Sequence, residues 1–249
     1  MRLKISTLAL YALLIFSCSK KHTPVTFSSS HYDPSALYED TLAFQSIFPY
    51  STKLNQEMSE VLVVSEDEFI KGQPESNLGN FVTDCLMKRA KNIFSSKGFQ
   101  ADIVMMNNGG LRASLPKGNI TKGKIFELMP FDNQMVLVVL NGKKVMDLID
   151  FIAQKGGVPV SGLVLELKKE NQVQQVKING FPLDTTKAYG IVTSDYLALG
   201  GDNIRFFKNE KIIYTNELIR DILIEHCRSL GSSGKKLKST VDGRISISK

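Results

Sequence analysis

Three short stretches of this sequence carry side chains that could do chemistry together. The first is Asn107-Asn108-Gly109-Gly110-Leu111-Arg112, which interrupts the apolar run Ile103 to Met106. Asn and Arg supply directional donors and acceptors, and paired glycines permit positive φ and close backbone approach. The second is Pro130-Phe131, an aromatic at an element boundary. The third runs from Ser194 through Asp195-Tyr196-Leu197-Ala198-Leu199 to Gly200-Gly201-Asp202. Aromatic faces stack a base at about 1–3 kcal/mol each. A carboxylate such as Asp202 accepts from vicinal ribose hydroxyls, and a guanidinium such as Arg112 binds phosphate in a bidentate manner. The inventory suits a nucleotide or nucleoside. Taken singly, each residue also has a plain reading: Phe131 and Tyr196 as core, Arg112 in a surface ion pair, Asp202 capping a turn.

These stretches must be held by regular elements. Asn77 to Phe94 repeats apolar residues every three or four positions (Leu78, Phe81, Val82, Cys85, Leu86, Ala90, Ile93), which predicts a helix capped by Ser76 or Asn77. Gly79-Asn80 in its first turn implies a close neighbour. Residues 102–106 read as a buried strand opening into the first loop. Thr121 to Leu128 is a short helix with Thr121 as cap, ending before Pro130. Gln134 to Leu140 is an apolar strand that turns at Asn141-Gly142 into a helix from Lys143 to Gln154. Leu163–Leu167 and Val173–Ile178 alternate apolar with polar and form a hairpin. Ala188 to Thr193 is a strand ending in the third loop. Glu217 to Leu230 is a helix with Leu218, Ile219, Ile222 and Leu223 inward and Gly231 as its stop. Val61 to Val64 is a strand, and 49–58 is a helix or an extended link. Strands and helices mix without regular alternation, so the expected fold class is α/β, one domain with several antiparallel pairs.

The chain has 249 residues, 43% apolar and 22% charged, an ordinary globular composition. Arg2 and Lys4 precede an apolar run from Ile5 to Phe16, and Ser17-Cys18 follows, which reads as a secretory signal. The cysteine directly after the small residue resembles a bacterial lipoprotein signal, with residues 1–17 removed and Cys18 the acylated anchor to the membrane. Ser19 after it resembles sorting to the outer membrane. Residues 18–45 are a polar tether, and the domain spans 46–249. With Arg2 and Lys4 gone, the net charge falls from +6 to +4, and the Lys235, Lys236, Lys238 cluster is a solvated face, so nucleic acid is excluded as a partner. Cys85 and Cys227 fall on helical apolar patterns and read as buried free thiols, although export permits a bridge. The three histidines, His22, His31 and His226, have no metal-ligand spacing.

Four blocks in order resemble the C-terminal, substrate-binding domain of the 5'-nucleotidase and UDP-sugar hydrolase family. They are Glu75-Ser76-Asn77-Leu78-Gly79-Asn80-Phe81 with Asp84; Asn107 through Arg112; Ile120-Thr121 through Met129-Pro130-Phe131; and Tyr196-Leu197-Ala198 through Gly200-Gly201-Asp202. The ending Asp242-Gly243-Arg244-Ile245 also matches, and the resemblance runs from about residue 60 onward. It implies the layered mixed α/β fold of that domain. It implies that Asn107 meets the base or ribose edge, with Gly109 and Gly110 in the same loop. Arg112 would bind phosphate, Phe131 and Tyr196 would clamp the base, and Asp202 would hold the ribose hydroxyls. Tyr196 stands where the family commonly has Phe. Pro74 stands where its nucleotidases usually carry a phosphate-gripping Arg, and Lys71 is a candidate substitute. Family enzymes hydrolyse the phosphoester with two metal ions in a separate N-terminal metallophosphoesterase domain, whose ligand motifs this sequence lacks. No catalytic residue, metal ligand or cofactor is therefore expected in this chain. Divalent metals would come with a partner metallophosphoesterase chain, in a split 5'-nucleotidase. The alternative is a non-catalytic lipoprotein that captures a ligand or acts as a scaffold.

Overall fold

A computed structural model of the chain describes residues 41–238 and 240–248, and the fold set out below lies in the compact unit Phe48–Lys249. Cys18, the signal and most of the tether fall outside the described residues. The ambiguous segment 49–58 is helical, part of α1 (Thr41–Met58).

The centre is a five-stranded sheet. Its order is β10 (Ile212–Leu218), β4 (Gln134–Asn141), β9 (Ala188–Ser194), β2 (Ile103–Met105) and β5 (Val160–Ser161). Only the β2–β9 pair is parallel; the other pairs of this sheet are antiparallel. Strand β4 shows why the central strands read as continuous apolar runs. Met135 and Leu137 enter one core, Val136, Val138 and Leu140 the other, so both faces are covered.

Helices α2 (Asn77–Ser96) and α6 (Ile219–Ser232) fill the first core through Leu78, Val82, Leu86, Ile219 and Leu223. The same core takes Ile125 and Leu128 of α3 (Lys122–Leu128). The antiparallel pair β1 (Val61–Ser65) and β3 (Gly118–Thr121) adds Leu62, Val63 and Ile120. Helix α4 (Gly142–Gln154) buries Val145, Leu148, Ile149 and Ile152 on the opposite face of the sheet. There it meets a four-stranded sheet, ordered β11 (Ile245–Ile247), β6 (Leu163–Leu167), β7 (Val173–Ile178) and β8 (Phe181–Pro182). The described chain is thus a layered mixed α/β fold, as expected.

Most expected boundaries hold within one or two residues, and the caps explain them. The Ser76 hydroxyl accepts from Gly79 N–H, Thr121 from Lys124 N–H, and Asn141 from Lys144 N–H. Asn141-Gly142 therefore is a helix cap and first helical residue, not only a turn. Gly79 does have its close neighbour: a Cβ there would sit 3.1 Å from the Pro159 ring. Cys85 and Cys227 are free and buried.

Two expectations about the last long helix fail. Glu217 and Leu218 belong to strand β10, which bulges at Asn216 with φ 61°, so the helix begins only at Ile219. Gly231 lies inside that helix, not beyond its end. It is glycine because a Cβ would fall 2.0 Å from the Leu62 carbonyl oxygen.

Candidate functional site

Strands β2 and β9 run side by side in the same direction, so the loops that follow them emerge at one edge of the sheet. After β2, Asn107 is still extended, and Asn108–Gly110 make a single 3-10 turn closed by Gly110 N–H to Asn107 O. Neither Gly109 nor Gly110 takes a positive φ, contrary to the expected use of these glycines. Gly110 instead makes room for the Asn107 side chain, whose Oδ1 would lie 2.7 Å from a Cβ. Arg112 N–H bonds the Leu128 carbonyl, tying this loop to the end of α3.

After β9 the chain does not stay a loop. Ser194 caps a one-turn helix, α5 (Asp195–Ala198), which carries Tyr196. Gly200, at φ 99°, ends it, and Asp202 takes φ 53°. The Tyr196 ring packs on Gly201, where a Cβ would sit 2.4 Å from it. Here the left-handed backbone and the missing Cβ are both used.

The third stretch, Pro130 to Asn133, links α3 to β4 and is pinned from α6. Arg220, 8% exposed, donates to the Pro130 and Phe131 carbonyls at 3.4 and 3.5 Å and to Asp132 Oδ1 at 2.6 Å. Its guanidinium carbon stands 4.2 Å from the Phe126 ring centroid. Ile219 N–H donates to the Asn133 carbonyl.

These three segments enclose a cavity of about 400 Å³, lined by Asn107, Gly109, Gly110, Arg112, Phe131, Asn133, Tyr196 and Asp202. The seven residues given a binding role from the sequence, Asn107, Gly109, Gly110, Arg112, Phe131, Tyr196 and Asp202, are all among them, whereas Lys71, the candidate second phosphate contact, is not. Asn133 was missed; its position two residues past Phe131, at the entry to a strand, was the available signal. Asn107 Nδ2 donates to Asp202 Oδ2 at 2.8 Å, and the Tyr196 hydroxyl donates to Asp202 Oδ1 at 3.1 Å. Phe131 and Tyr196 are 42% and 48% exposed, so neither is core. Arg112 is exposed, 5.9 Å from the Phe131 centroid, with Nη1 3.4 Å from the Gly109 carbonyl. Among the described residues no carboxylate pairs with it.

The Glu75–Asp84 block stands elsewhere. Pro74 and Lys71 do not line the cavity. Glu75 accepts from Asn80 and from the Asp242 and Gly243 amides, while Arg244, 10% exposed at its side chain, bridges Asp84 and Asp242. Those motif residues clamp the C-terminal segment. A second hollow of about 470 Å³ opens beside Phe99, Asn179 and Tyr189 at the far ends of β2 and β9. Its carboxylate, Asp102, already accepts from Gln100, Asn179 and Gly190 N–H. Among the described residues no group of three or more His, Cys, Asp or Glu side chains converges to hold a metal ion, and no helix is long and apolar enough to cross a membrane.

Residues 61–209 match the family model for the 5'-nucleotidase C-terminal domain. The trifunctional nucleotide phosphoesterase YfkN of Bacillus subtilis is 30% identical over 190 residues, 69% of this chain and 12% of that protein. Cell wall protein Lmo0130 of Listeria monocytogenes is 27% identical over 186 residues, 68% of this chain and 23% of its own length. The solved 5'-nucleotidase precursor of Thermus thermophilus superposes with a TM-score of 0.69 at 27% identity, over 86% of this chain and 44% of that one. The chain thus spans less than half the length of each.

Proposed function

The chain belongs to the 5'-nucleotidase family through its C-terminal domain, and we propose that its cavity binds a nucleotide or nucleoside as the substrate-specificity half of a split 5'-nucleotidase. In this reading Phe131 and Tyr196 stack the base from two sides, and Asn107 meets the base or ribose edge. Asp202 takes the ribose hydroxyls, Arg112 takes the phosphate, and Asn133 adds an amide beside the Phe131 face. One observation carries the reading. Aromatic, amide, carboxylate and guanidinium groups from three separate segments line a single cavity, and among the described residues the guanidinium has no carboxylate of its own.

The described residues offer nothing that fits the two metal ions of a phosphoesterase. Hydrolysis would need those ions to fix and activate the attacking hydroxide, and in this proposal a separate metallophosphoesterase chain supplies them. This chain's contribution is to bind the nucleoside end and orient the phosphate outward along Arg112. The test is reconstitution. Mixed with a metallophosphoesterase lacking its own C-terminal domain, the protein should raise hydrolysis of nucleoside monophosphates in a divalent-metal-dependent way. No gain over either chain alone defeats the split-enzyme idea.

A second reading, capture of a nucleoside without catalysis, is favoured by the position of Pro74 and Lys71 outside the cavity lining. It expects adenosine to bind as tightly as AMP. We also propose export and anchoring through acylated Cys18, at the outer membrane. The cell-wall relative supports export. Palmitate labelling that survives Cys18→Ser would refute the anchor.

A further inference from the structure

The Asp202 carboxylate is engaged on both oxygens before any ligand arrives. Oδ2 accepts from Asn107 Nδ2 at 2.8 Å and Oδ1 from the Tyr196 hydroxyl at 3.1 Å. The same hydroxyl oxygen accepts from the Asp202 backbone N–H at 3.3 Å. The Tyr196 ring lies against Gly201, where a Cβ would come within 2.4 Å of it, so a side chain at 201 would push the ring off the position from which its hydroxyl reaches Asp202. The hydroxyl thus closes a ring with the residue it holds, on a backbone at φ 53°.

An ionised carboxylate has about four lone-pair sites, two on each oxygen. Two are taken within the protein, one on each oxygen, which leaves one on each for a ligand. That remainder matches a vicinal diol, which brings two donors at adjacent carbons. A phenylalanine at this position would fill the same space without fixing Oδ1. We propose that the Tyr196 hydroxyl is a specificity-determining group: by fixing the Asp202 carboxylate, it makes the cavity select ribose over deoxyribose. The inference rests on the nucleoside-binding reading above. It adds to that reading the group that sets the sugar preference.

The test is calorimetry of the full chain with adenosine and 2'-deoxyadenosine, before and after Tyr196→Phe. Hydrogen bonds to charged groups support an expected preference of about tenfold for adenosine in the wild type. Tyr196→Phe should narrow it to about twofold, by weakening adenosine more than the deoxy compound. Thermal unfolding checks that the variant is folded. Asn107→Ala, which frees Oδ2 instead, is the second variant and should narrow the ratio likewise. An unchanged ratio in Tyr196→Phe overturns the inference and leaves nucleoside binding standing. A wider ratio also overturns it, since the hydroxyl would then be competing with the diol. If the wild type binds neither compound, the nucleoside reading falls and takes the inference with it.

Discussion

Asn107 Nδ2 reaches Asp202 Oδ2 across 2.8 Å, although the two residues are 95 positions apart in the chain. The parallel pairing of β2 with β9 puts both loops at one sheet edge, with Ile103 opposite Ile191 and Val104 opposite Val192. Ligand sites of open α/β sheets commonly form outside the carboxyl ends of strands. Here the crevice is completed by Phe131 and Asn133, from a connection that an antiparallel neighbour, β4, brings to the same edge. The site is thus a product of strand order, and its rigidity depends on what holds each loop.

Arg220 is the holder of the aromatic wall. It combines three acceptors, from Pro130, Phe131 and Asp132, with the face of Phe126. Arg220→Lys keeps the charge but loses the planar fork that meets several acceptors at once. We expect a loss of about 1–3 kcal/mol in chemical denaturation. The chain contains no tryptophan, so Phe131→Trp installs a single fluorophore on the wall. Its steady-state anisotropy should fall when Arg220→Lys is added, and unchanged anisotropy would argue against the pinning.

Gly231 offers a test of sign. An exposed mid-helix glycine replaced by alanine gains about 0.5–1 kcal/mol. At Gly231 the added Cβ would meet the Leu62 carbonyl oxygen at 2.0 Å, so helix and strand must separate. Gly231→Ala should therefore destabilise by about 2 kcal/mol or more, measured by urea unfolding. A stabilised variant would mean that the contact is not close.

The C-terminal clamp gives a pH dependence. Asp242 is held below its ordinary 3.8 first by the hydrogen bond from Arg244, against partial burial, and then by the guanidinium's charge. A depressed folded value means that the unfolded chain binds the proton more readily. The stabilisation is therefore present above the unfolded value, about pH 4, and is lost as pH falls through the lower folded one. Arg244→Met should cost about 1–2 kcal/mol at pH 7, because Asp84 and Asp242 lose their shared cation but, about half exposed, keep most of their hydration. It should also flatten the acid limb of unfolding temperature against pH. An acid limb as steep as wild type would assign the pH dependence to other carboxylates.

What the sequence made legible follows from how local each signal is. The α2 stripe from Leu78 to Ala90, the cap at Thr121 and the hairpin beginning at Leu163 are local patterns, and they emerged nearly as read. The β10–α6 junction did not, because Leu218 and Ile219 are apolar in succession and the interruption at Asn216 is a backbone conformation, not a pattern. Gly231 misled for the same reason: its neighbour, Leu62, is remote in sequence. In the site, Asn107, Arg112, Phe131, Tyr196 and Asp202 were legible as residue types that a ligand needs. Asn133 and Arg220 were not, since one is an ordinary turn amide and the other acts only through folded contacts. The Glu75–Asp84 block was legible as a motif, and its clamping of the C-terminal segment needed the fold.

The proposal that matters most is that the cavity between Phe131 and Tyr196 is a nucleotide site with Arg112 as its phosphate contact. Titration calorimetry with AMP and adenosine, on wild type and Arg112→Ala, tests it most directly. Wild type should bind AMP more tightly than adenosine, and Arg112→Ala should weaken AMP by about tenfold while leaving adenosine within about twofold. Equal losses for the two ligands, or no binding of either by wild type, would contradict it.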